Sequence, residues 1–391
     1  MQQDWRALRA EFPVLEQWTY LNSATFGPVP RAAVEAMERH LAHRDAEACL
    51  DFIEWYDEAD RVRAKAARLI GAQAEDIAFI PNAGTALSWV LEGLDWKPGD
   101  RIVGLEDDFP NNIYAPLRLA ERGVEFQGVS VTPDFEPEDL LGAIDERTRL
   151  ALVSVLNYSS GLRPPLEALG RKTAAAGALF VIDGTQGVGA IPFDVEQTRA
   201  DVVIVHAYKW MLCPPGIGFM YIRPEARERL RPTVVSWRSH RGWRQVSRLH
   251  HGAPELPAEA ARYEGGMLNF TGILALESAL DLMAGVGHEA LFDRVAWLAE
   301  RTRAVLREAG GRPLGDQNIW FRSPIVTARF PELDLAAVGE ELRRRRIAVA
   351  ARHGSLRVSP HVFNDEGDLE ALSAALARLG AEAAASSSKF D

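Results

Sequence analysis

Cysteine is scarce in this chain, and long apolar runs are absent. Cys49 and Cys213 are the only cysteines among 391 residues, which argues against a disulfide framework and favours the reducing cytoplasm. The sequence contains no long uncharged apolar run of the kind that spans a membrane, and the opening residues MQQDWRALRAEF lack the pattern of a signal peptide. We therefore expect a cytoplasmic protein without a membrane span.

Positive charge is also in short supply. The chain has 44 Lys and Arg against 55 Asp and Glu, which gives a formal net charge of −11 and an isoelectric point near 5.4. An acidic surface repels nucleic-acid backbones and anionic lipids. We therefore expect neither nucleic acid nor a membrane as a main partner.

Several motifs of common ligand sites are missing. The sequence has no G-x-x-x-x-G-K-[ST] loop, no G-x-G-x-x-G that opens a helix after the first strand, no H-E-x-x-H and no paired C-x-x-C. His250 and His251 are adjacent, which suits two opposite directions better than one metal ion. We expect no metal site.

The chain does contain a repeated alternation of short apolar strands with helices. Its hydrophobic content of 47% is enough for a large core and predicts two domains. The strands predicted in this region are Ile77–Ile80, Arg101–Leu105, 124–129, 150–155, 178–182 and 202–205. Strand, helix, strand in this order indicates an α/β fold with a mostly parallel sheet.

Two of these strands end at residues with distinctive chemistry. Asp183 follows the strand 178–182, and Lys209 follows the strand 202–205 by a short turn. A buried lysine is costly because desolvation disfavours the ammonium form, and this cost suits a lysine that forms a Schiff base. A carboxylate at Asp183 is the partner that can hold a pyridine nitrogen protonated.

Other polar or aromatic residues also follow predicted strands. Gly84, Thr85 and Ala86 begin a helix after Ile77–Ile80, where free amides and the helix dipole can hold a phosphate. Phe109 follows Arg101–Leu105, and Asn157 follows 150–155. Ligands of parallel sheets collect at the carboxyl ends of the strands, so these residues, Asp183 and Lys209 are expected to surround one ligand.

The runs VIDGTQGVGAIPFDV and VIVHAYKWMLCPPGIGF resemble the class V aminotransferase family. The similarity extends from YLNSATFGPVP to SLRVSPHVFN, which is nearly the whole chain. This family of fold-type-I enzymes uses pyridoxal 5′-phosphate and includes cysteine desulfurases, isopenicillin N epimerase-like proteins and kynureninases. The resemblance implies a large domain with a mostly parallel sheet and a smaller α+β C-terminal domain.

The resemblance assigns roles to individual positions around the cofactor. Lys209 would carry the Schiff base, Asp183 would face the pyridine nitrogen, and Phe109 would stack on the ring. The remaining cofactor contacts that it implies are Gly84, Thr85 and Ala86 at the phosphate, Asn157 and Gln186 at the ring oxygen, and His206 and Tyr208 before the lysine. His206 is expected to bond the phosphate, whereas Tyr208 is expected to face either the phosphate or the core.

Substrate and subunit contacts are implied as well. Arg357 would bind the substrate carboxylate with two parallel hydrogen bonds, and Asn22 would lie at the mouth of the site. The segment RYEGGMLNFTG is similar to the one that reaches the phosphate of a neighbouring subunit, so Asn269 or Thr271 would do so here. The implied assembly is a homodimer with shared active sites.

The expected domain organisation follows from the same resemblance. Residues 1–30 are expected to form an N-terminal segment of the small domain, 31–285 the large cofactor-binding domain and 286–380 the small domain. Residues 381–391 have low-complexity composition and are expected to be a disordered tail. Residues 231–266 are the most irregular region, and such a long loop is predicted to recognise substrate, contact a subunit or simply be solvated.

The expected function is that of an enzyme acting on an amino acid, with transamination favoured. Epimerisation or racemisation and β-elimination, including C–S lyase chemistry, share its early steps and stay open, as does a cofactor-binding protein without turnover. Cysteine desulfurases carry a nucleophilic Cys before the last arginine-bearing strand, but here the loop 350–355 has none. Cys213 follows Lys209 closely and Cys49 is predicted in a helix, so persulfide formation is not expected.

Overall fold

The computed structural model describes residues 4–248, 252–352 and 354–387. His250 and His251 lie outside them. The strands are β1 Thr19–Tyr20, β2 Ile77–Ile80, β3 Arg101–Leu105, β4 Glu125–Val129, β5 Thr148–Ser154, β6 Leu179–Asp183, β7 Val202–His206, β8 Gly218–Ile222, β9 Arg312–Pro313, β10 Val326–Arg329, β11 Ile347–Ala348, β12 Ala350–Arg352 and β13 Ser355–Val358.

Helices are interleaved with these strands along the chain. They are α1 Trp5–Ala10, α2 Arg31–Glu47, α3 Phe52–Leu69, α4 Ala83–Gly93, α5 Pro110–Arg118, α6 Pro137–Leu141, α7 Leu166–Ala176, α8 Val195–Thr198, α9 Pro224–Arg229, α10 Phe270–Val286, α11 His288–Glu308, α12 Leu335–Arg344 and α13 Glu366–Ser387. Residues 381–387, which the composition places in a disordered tail, belong to α13. The rest of that tail, 388–391, lies outside the described residues.

The large sheet has seven strands in the order β2-β8-β7-β6-β5-β3-β4. Only β8 runs against its neighbours, so the predicted mostly parallel α/β architecture is confirmed. The strands are short and apolar because both faces are buried. Successive residues of a strand point to opposite faces of the sheet. Val203 and Ile204, for example, belong to two different hydrophobic clusters, one on each face.

Topology brings the predicted site residues to one edge of this sheet. Since β2, β3, β5, β6 and β7 all run in the same direction, their carboxyl ends meet at the same edge. Asp183 is the last residue of β6, and His206 is the last residue of β7. The helix that contains Thr85 starts just after β2.

A smaller antiparallel sheet, β12-β13-β10-β9, carries Arg357. Its core contains α11, α12 and α13 together with Leu21 from the N-terminal segment. That segment pairs with this part of the chain through the parallel strands β1 and β11 and a bridge between Asn22 and Ser359.

The irregular region 231–266 has no strand and no α-helix among its described residues, only three one-turn 3-10 helices. No single described helix has both the length and the apolar composition of a membrane span. One pair, α10 and α11, passes that test jointly with a bend of 85°. No group of three or more His, Cys, Asp or Glu within the described ranges could hold a metal ion.

Candidate active site

Lys209 lies in a tight turn after β7 and is almost completely buried, with 4% of its surface exposed. Burial lowers the pKa of its amine to about 8; the carboxylate of Asp183 opposes the shift, and the positive charges of Arg357 and Arg352 add to it. About a tenth of the amine is therefore uncharged at pH 7, a far larger fraction than for an exposed lysine. Uncharged amine is the nucleophilic and basic form that Schiff-base chemistry requires.

The turn that carries Lys209 is covered by the N-terminal segment. The amide of Gly27 donates a hydrogen bond to the carbonyl of Tyr208 at 2.9 Å. A Cβ atom at Gly27 would lie 2.0 Å from the carbonyl oxygen of Lys209, so only glycine permits this approach.

Asp183 is buried next to the lysine turn, at the end of β6. Its Oδ1 accepts a hydrogen bond from the amide of Thr185 at 3.0 Å. Its Oδ2 accepts from Nδ2 of Asn112 at 3.4 Å. These two donors fix the orientation of the carboxylate.

Behind Asp183 lies a second buried carboxylate, Asp108, which the sequence analysis did not identify. Asp108 accepts hydrogen bonds from the hydroxyl of Ser154 at 2.5 Å and from the amides of Ser154 and Phe109. Asn112 links this group to Asp183, because its Nδ2 also donates to the hydroxyl of Ser154 at 3.1 Å. Burial raises the pKa of Asp108 to about 6, against the hydrogen bonds, and the charge of Asp183 adds to the rise.

Two aromatic rings flank the amine of Lys209. Its Nζ lies 5.0 Å from the ring centre of Phe109 and 5.3 Å from that of Tyr208. The rings of Tyr158 and Phe109 pack in a T-shaped arrangement with ring centres 5.4 Å apart. Phe109 thus offers an apolar ring beside the amine, which suits stacking on a planar ligand.

The start of α4 is less open than the sequence suggests. The side chain of Asn82 caps this helix by accepting from the amide of Thr85 at 2.8 Å, and the carbonyl of Asn82 accepts from Ala86. The amide of Gly84 has no acceptor among the described residues. Of the three predicted amides, only that of Gly84 is left for a phosphate, and the Thr85 hydroxyl is a further possible donor.

His206 supplies an unpaired buried group next to the lysine. Its Nε2 is buried and has no hydrogen-bond partner in the described part of the chain. Burial, with the positive charge of Lys209 in second place, lowers its pKa to about 4, so the imidazole is neutral at pH 7. A buried nitrogen without a partner fits a ligand that completes the hydrogen bond, as a phosphate oxygen does.

Asn157 and Gln186 are both buried, and their side chains are largely occupied by protein groups. Oδ1 of Asn157 accepts from the amides and hydroxyls of Ser159 and Ser160, and its Nδ2 donates to the carbonyl of Asp107. Gln186 accepts from Trp210 and donates to the carbonyl of Ala24. Each amide therefore keeps one N–H for a ligand.

Arg357 is 4% exposed and is held from two sides. Its guanidinium donates to the carbonyl of Tyr158 at 2.5 Å, to the hydroxyl of Thr25 at 2.5 Å and to Oδ1 of Asn22 at 3.5 Å. Its Nε has no partner among the described residues. Burial, followed by the charge of Arg352, lowers the pKa of Arg357 to about 10, so it stays a cation at neutral pH.

Asn269 and Thr271 lie at the start of α10. Asn269 caps this helix by accepting from the amide of Gly272 at 3.0 Å, and its Nδ2 donates to the carbonyl of Gly216, in the corner that follows Lys209. The hydroxyl of Thr271 has no partner among the described residues.

A cavity of about 340 Å³ opens beside Arg357 and Asp108. Its wall contains Asp107, Asp108, Tyr158, Ser159, Ser160, Thr327, Arg329, Arg352, Ser355 and Arg357, with several apolar residues. A larger cavity of about 570 Å³, near Arg163 and Trp320, contains none of the predicted site residues.

Neither cysteine is placed to act as a nucleophile at this site. Cys213 is 1% exposed, and burial raises the pKa of its thiol well above the usual range. Cys49 lies in the turn between α2 and α3 and not in a helix as predicted. The stretch 350–355, which was predicted to be a short loop without cysteine, contains β12, so only two residues connect β12 to β13.

Three comparisons place the chain among known proteins. The profile of the family described as aminotransferase class-V matches residues 19–372. A probable cysteine desulfurase of Methanothermobacter thermautotrophicus is 25% identical over 95% of this chain and 97% of that protein. The isopenicillin N epimerase of Amycolatopsis lactamdurans is 28% identical over 96% of this chain and 98% of that protein. The apo structure of a cysteine desulfurase from Thermococcus onnurineus NA1 superposes with a TM-score of 0.87 at 22% identity, covering 98% of this chain and 99% of the other, which shows the same fold.

Proposed function

The chain belongs to the class V aminotransferase family, and from this premise we propose that it transfers the amino group of an amino acid with Lys209 as the proton carrier. As a member of this family it is an enzyme that depends on pyridoxal 5′-phosphate and acts on an amino acid. The observation that carries the proposal is the buried amine of Lys209, with its pKa lowered to about 8, between Asp183 and Phe109.

When bound, pyridoxal phosphate withdraws electrons from the α-carbon of the amino acid. The residues of this chain fit that group. Asp183, oriented by Thr185 and Asn112, would hold a proton at the pyridine nitrogen. His206, the Thr85 hydroxyl and the Gly84 amide would hold the phosphate, and one N–H each of Asn157 and Gln186 would face the ring oxygen.

Substrate orientation falls to Arg357. Thr25, Asn22 and the Tyr158 carbonyl fix its guanidinium, so a carboxylate bound there meets a donor set that does not have to reorganise. The uncharged amine of Lys209 would then take the α-proton and return it elsewhere on the substrate or cofactor.

Transamination is the reaction that these residues support best. It needs one base, and Lys209 is that base. Phe109, beside the amine, has no proton to give, whereas the phenol of Tyr208, which also flanks the amine, keeps a two-base epimerisation as the alternative. Persulfide formation is not supported, because the thiol of Cys213 is buried with a raised pKa and Cys49 lies in the exposed turn between α2 and α3.

We also propose a homodimer with shared sites, in which Asn269 or Thr271 of one protomer reaches the phosphate of the other. The unpaired hydroxyl of Thr271 at the start of α10 supports this proposal. For the domains we propose 31–285 and 286–380, with 1–30 attached to the smaller one. The burial of Leu21 in the core of the small sheet supports that attachment.

The test is to count products when the holoenzyme meets single amino acids without a keto-acid acceptor. Transamination predicts one equivalent of keto acid per site, together with a stable change in cofactor absorbance. More than one equivalent would indicate elimination, and inverted amino acid without keto acid would indicate epimerisation. The Lys209→Ala variant should form none of these products; full activity in this variant would contradict the proposed role.

A further inference from the structure

The small antiparallel sheet places three arginines on the cavity beside the candidate active site. In β10, β12 and β13, residues paired across strands share a face of the sheet, and alternate residues along a strand return to that face. Arg357 pairs with Thr327 on one side and with Ala350 on the other. Arg352 pairs with Ser355, and the same register brings Arg329 of β10 opposite Ser355.

Two rows of side chains therefore face the cavity. The first contains Thr327, Arg357 and Ala350, and the second contains Arg329, Ser355 and Arg352. All of these except Ala350 line the cavity of about 340 Å³. The opposite face, with Leu356 and Val358, is buried in the core of the small sheet.

The charges of this cavity are unbalanced. Three guanidiniums face two carboxylates, those of Asp107 and Asp108. Asp108 is already bonded to Ser154 and to the amide of Phe109. Neither Arg329 nor Arg352 makes an ion pair with any carboxylate of the described residues, although both lie at the cavity wall.

The field of Arg352 reaches the reacting groups. Its positive charge contributes to the lowered pKa of both Lys209 and Arg357. Two residues along a strand span about 7 Å, so an anion bound by the second row lies roughly that far from a carboxylate bound by Arg357. A short carbon chain can bridge the two positions.

We propose that Arg352 and Arg329 bind a second carboxylate of the substrate, so that the enzyme acts on an amino acid whose side chain ends in an acid. This rests on the proposed function, in which Arg357 takes the α-carboxylate. The substrate class is then an amino-dicarboxylic acid of the size of aspartate or glutamate.

The test uses dicarboxylates without an amino group, because they bind but cannot react. Calorimetric titration of the holoenzyme at low ionic strength compares glutarate with its monoamide glutaramate, and succinate with succinamate. Loss of one charge-assisted contact corresponds to about tenfold in affinity, so each dicarboxylate should bind about tenfold more tightly than its monoamide. In the double variant Arg352→Gln with Arg329→Gln, the ratio should fall to about one.

Arg312→Gln is the matched control. Arg312 of β9 is exposed, as Arg329 and Arg352 are, and it pairs with Arg329 and so shares its face of the sheet, but it does not line the cavity. This variant removes the same charge from the same sheet and should keep the tenfold ratio, and Arg352→Lys should keep most of it. Equal binding of acid and monoamide by the wild-type protein, or an unchanged ratio in the double variant, overturns the proposal.

This experiment separates the proposal from the proposed function. If no amino acid forms keto acid while glutarate still binds more tightly than glutaramate, transamination fails and the carboxylate site stands. If aspartate and glutamate form keto acid no more efficiently than asparagine and glutamine, and the binding ratio is one, the carboxylate site fails and transamination stands.

Discussion

Lys209 occupies a position where its charged form is unfavourable. The side chain is buried, and among its neighbours the cations Arg357 and Arg352 outnumber the single carboxylate of Asp183. The pKa in the folded protein is lowered from 10.5 to about 8. Between these values the unfolded chain binds a proton that the folded chain has released, so stability must rise with pH there.

We predict that this linkage is visible in the cofactor-free protein. A shift of this size corresponds to about 3 kcal/mol. Lys209→Met should therefore unfold with a larger free energy than wild type below pH 8, and this advantage should shrink by about that amount as the pH rises to 10.5. Urea unfolding of both proteins across this pH range measures the difference in their free energies of unfolding. If that difference does not change with pH, the pKa of the Lys209 amine is not lowered in the folded protein.

At the residue scale, the sequence indicated the candidate site residues that follow strands. It did not indicate the buried residues that hydrogen-bond to them. Asp183 and Lys209 stand out because a charged residue at the end of a buried apolar run is costly unless the protein uses it. The sequence does not mark Asp108, Asn112 and Ser154 in this way, because their hydrogen bonds join segments that are distant in sequence. The run Asp107–Asp108 before Phe109 was the available signal, but it reads as an exposed turn.

At the scale of elements, the active site depends on a segment without regular structure. Residues 21–27 lie against the lysine turn and provide Asn22 and Thr25 to Arg357. The segment can approach only because Gly27 has no side chain.

Gly27→Ala should therefore damage substrate binding at Arg357. The added Cβ meets backbone and not a flexible side chain, so the segment itself must move. A displacement of about 1 Å at positioning groups costs roughly a hundredfold in catalytic efficiency, and we expect a loss of this order. Gly285→Ala is the control: it lies in α10 with no atom within 4 Å of the new Cβ, and it should stabilise the protein by about 0.5–1 kcal/mol.

A buried cluster of charged residues anchors the irregular region 231–266 to α3 and β2. Glu264 is 1% exposed and accepts hydrogen bonds from Arg63, Arg238 and the amide of Phe79. Burial alone would raise the pKa of Glu264, yet the two guanidiniums bring it below its usual value. Arg238 also lies over the rings of Tyr56 and Trp243.

We predict that Glu264→Gln destabilises the protein by about 3–5 kcal/mol, because two buried guanidiniums lose their counter-charge. Thermal and denaturant unfolding would measure this loss, and limited proteolysis would show whether cleavage begins within 231–266. Glu255→Gln removes a carboxylate from the exposed pair with Arg241 in the same region and should cost less than about 1 kcal/mol. Similar losses of unfolding free energy in both variants would contradict the role of Glu264 in anchoring this region.

Element boundaries were predictable where apolar runs are bounded by polar residues. The strands Ile77–Ile80 and Arg101–Leu105 were predicted with their observed bounds, and β4, β5, β6 and β7 were predicted to within two residues. The antiparallel strand β8 was not among the predicted strands. The cluster around Glu264 was not predictable, since a glutamate next to glycines reads as surface until Arg63 is brought against it by the fold.

At the scale of the whole molecule, the proposed dimer can be tested by mixing variants. A protomer with Lys209→Ala lacks the base, and one with Asn269→Ser and Thr271→Val lacks the proposed phosphate contacts while serine keeps the helix cap. In a two-fold dimer with shared sites, a mixed pair has one site with all lesions and one intact site. Random mixing should therefore restore about a quarter of the wild-type activity.

Each variant alone serves as its own control, because the first should be inactive and the second should bind cofactor weakly. Activity after mixing that equals the mean of the separate variants would show that each site is built from one protomer.

The hydrogen bond from Arg357 to Thr25 joins residues that are 332 positions apart in the chain. A ribosome adds about 5–20 residues per second, so Arg357 is made roughly 20–70 s after Thr25. During that interval the lysine turn and its sheet can fold, but the substrate-binding guanidinium does not yet exist. The side chains of Asn22 and Thr25 must therefore wait for one of the last strands to be translated, although Gly27 of the same segment can bond Tyr208 of the lysine turn much earlier.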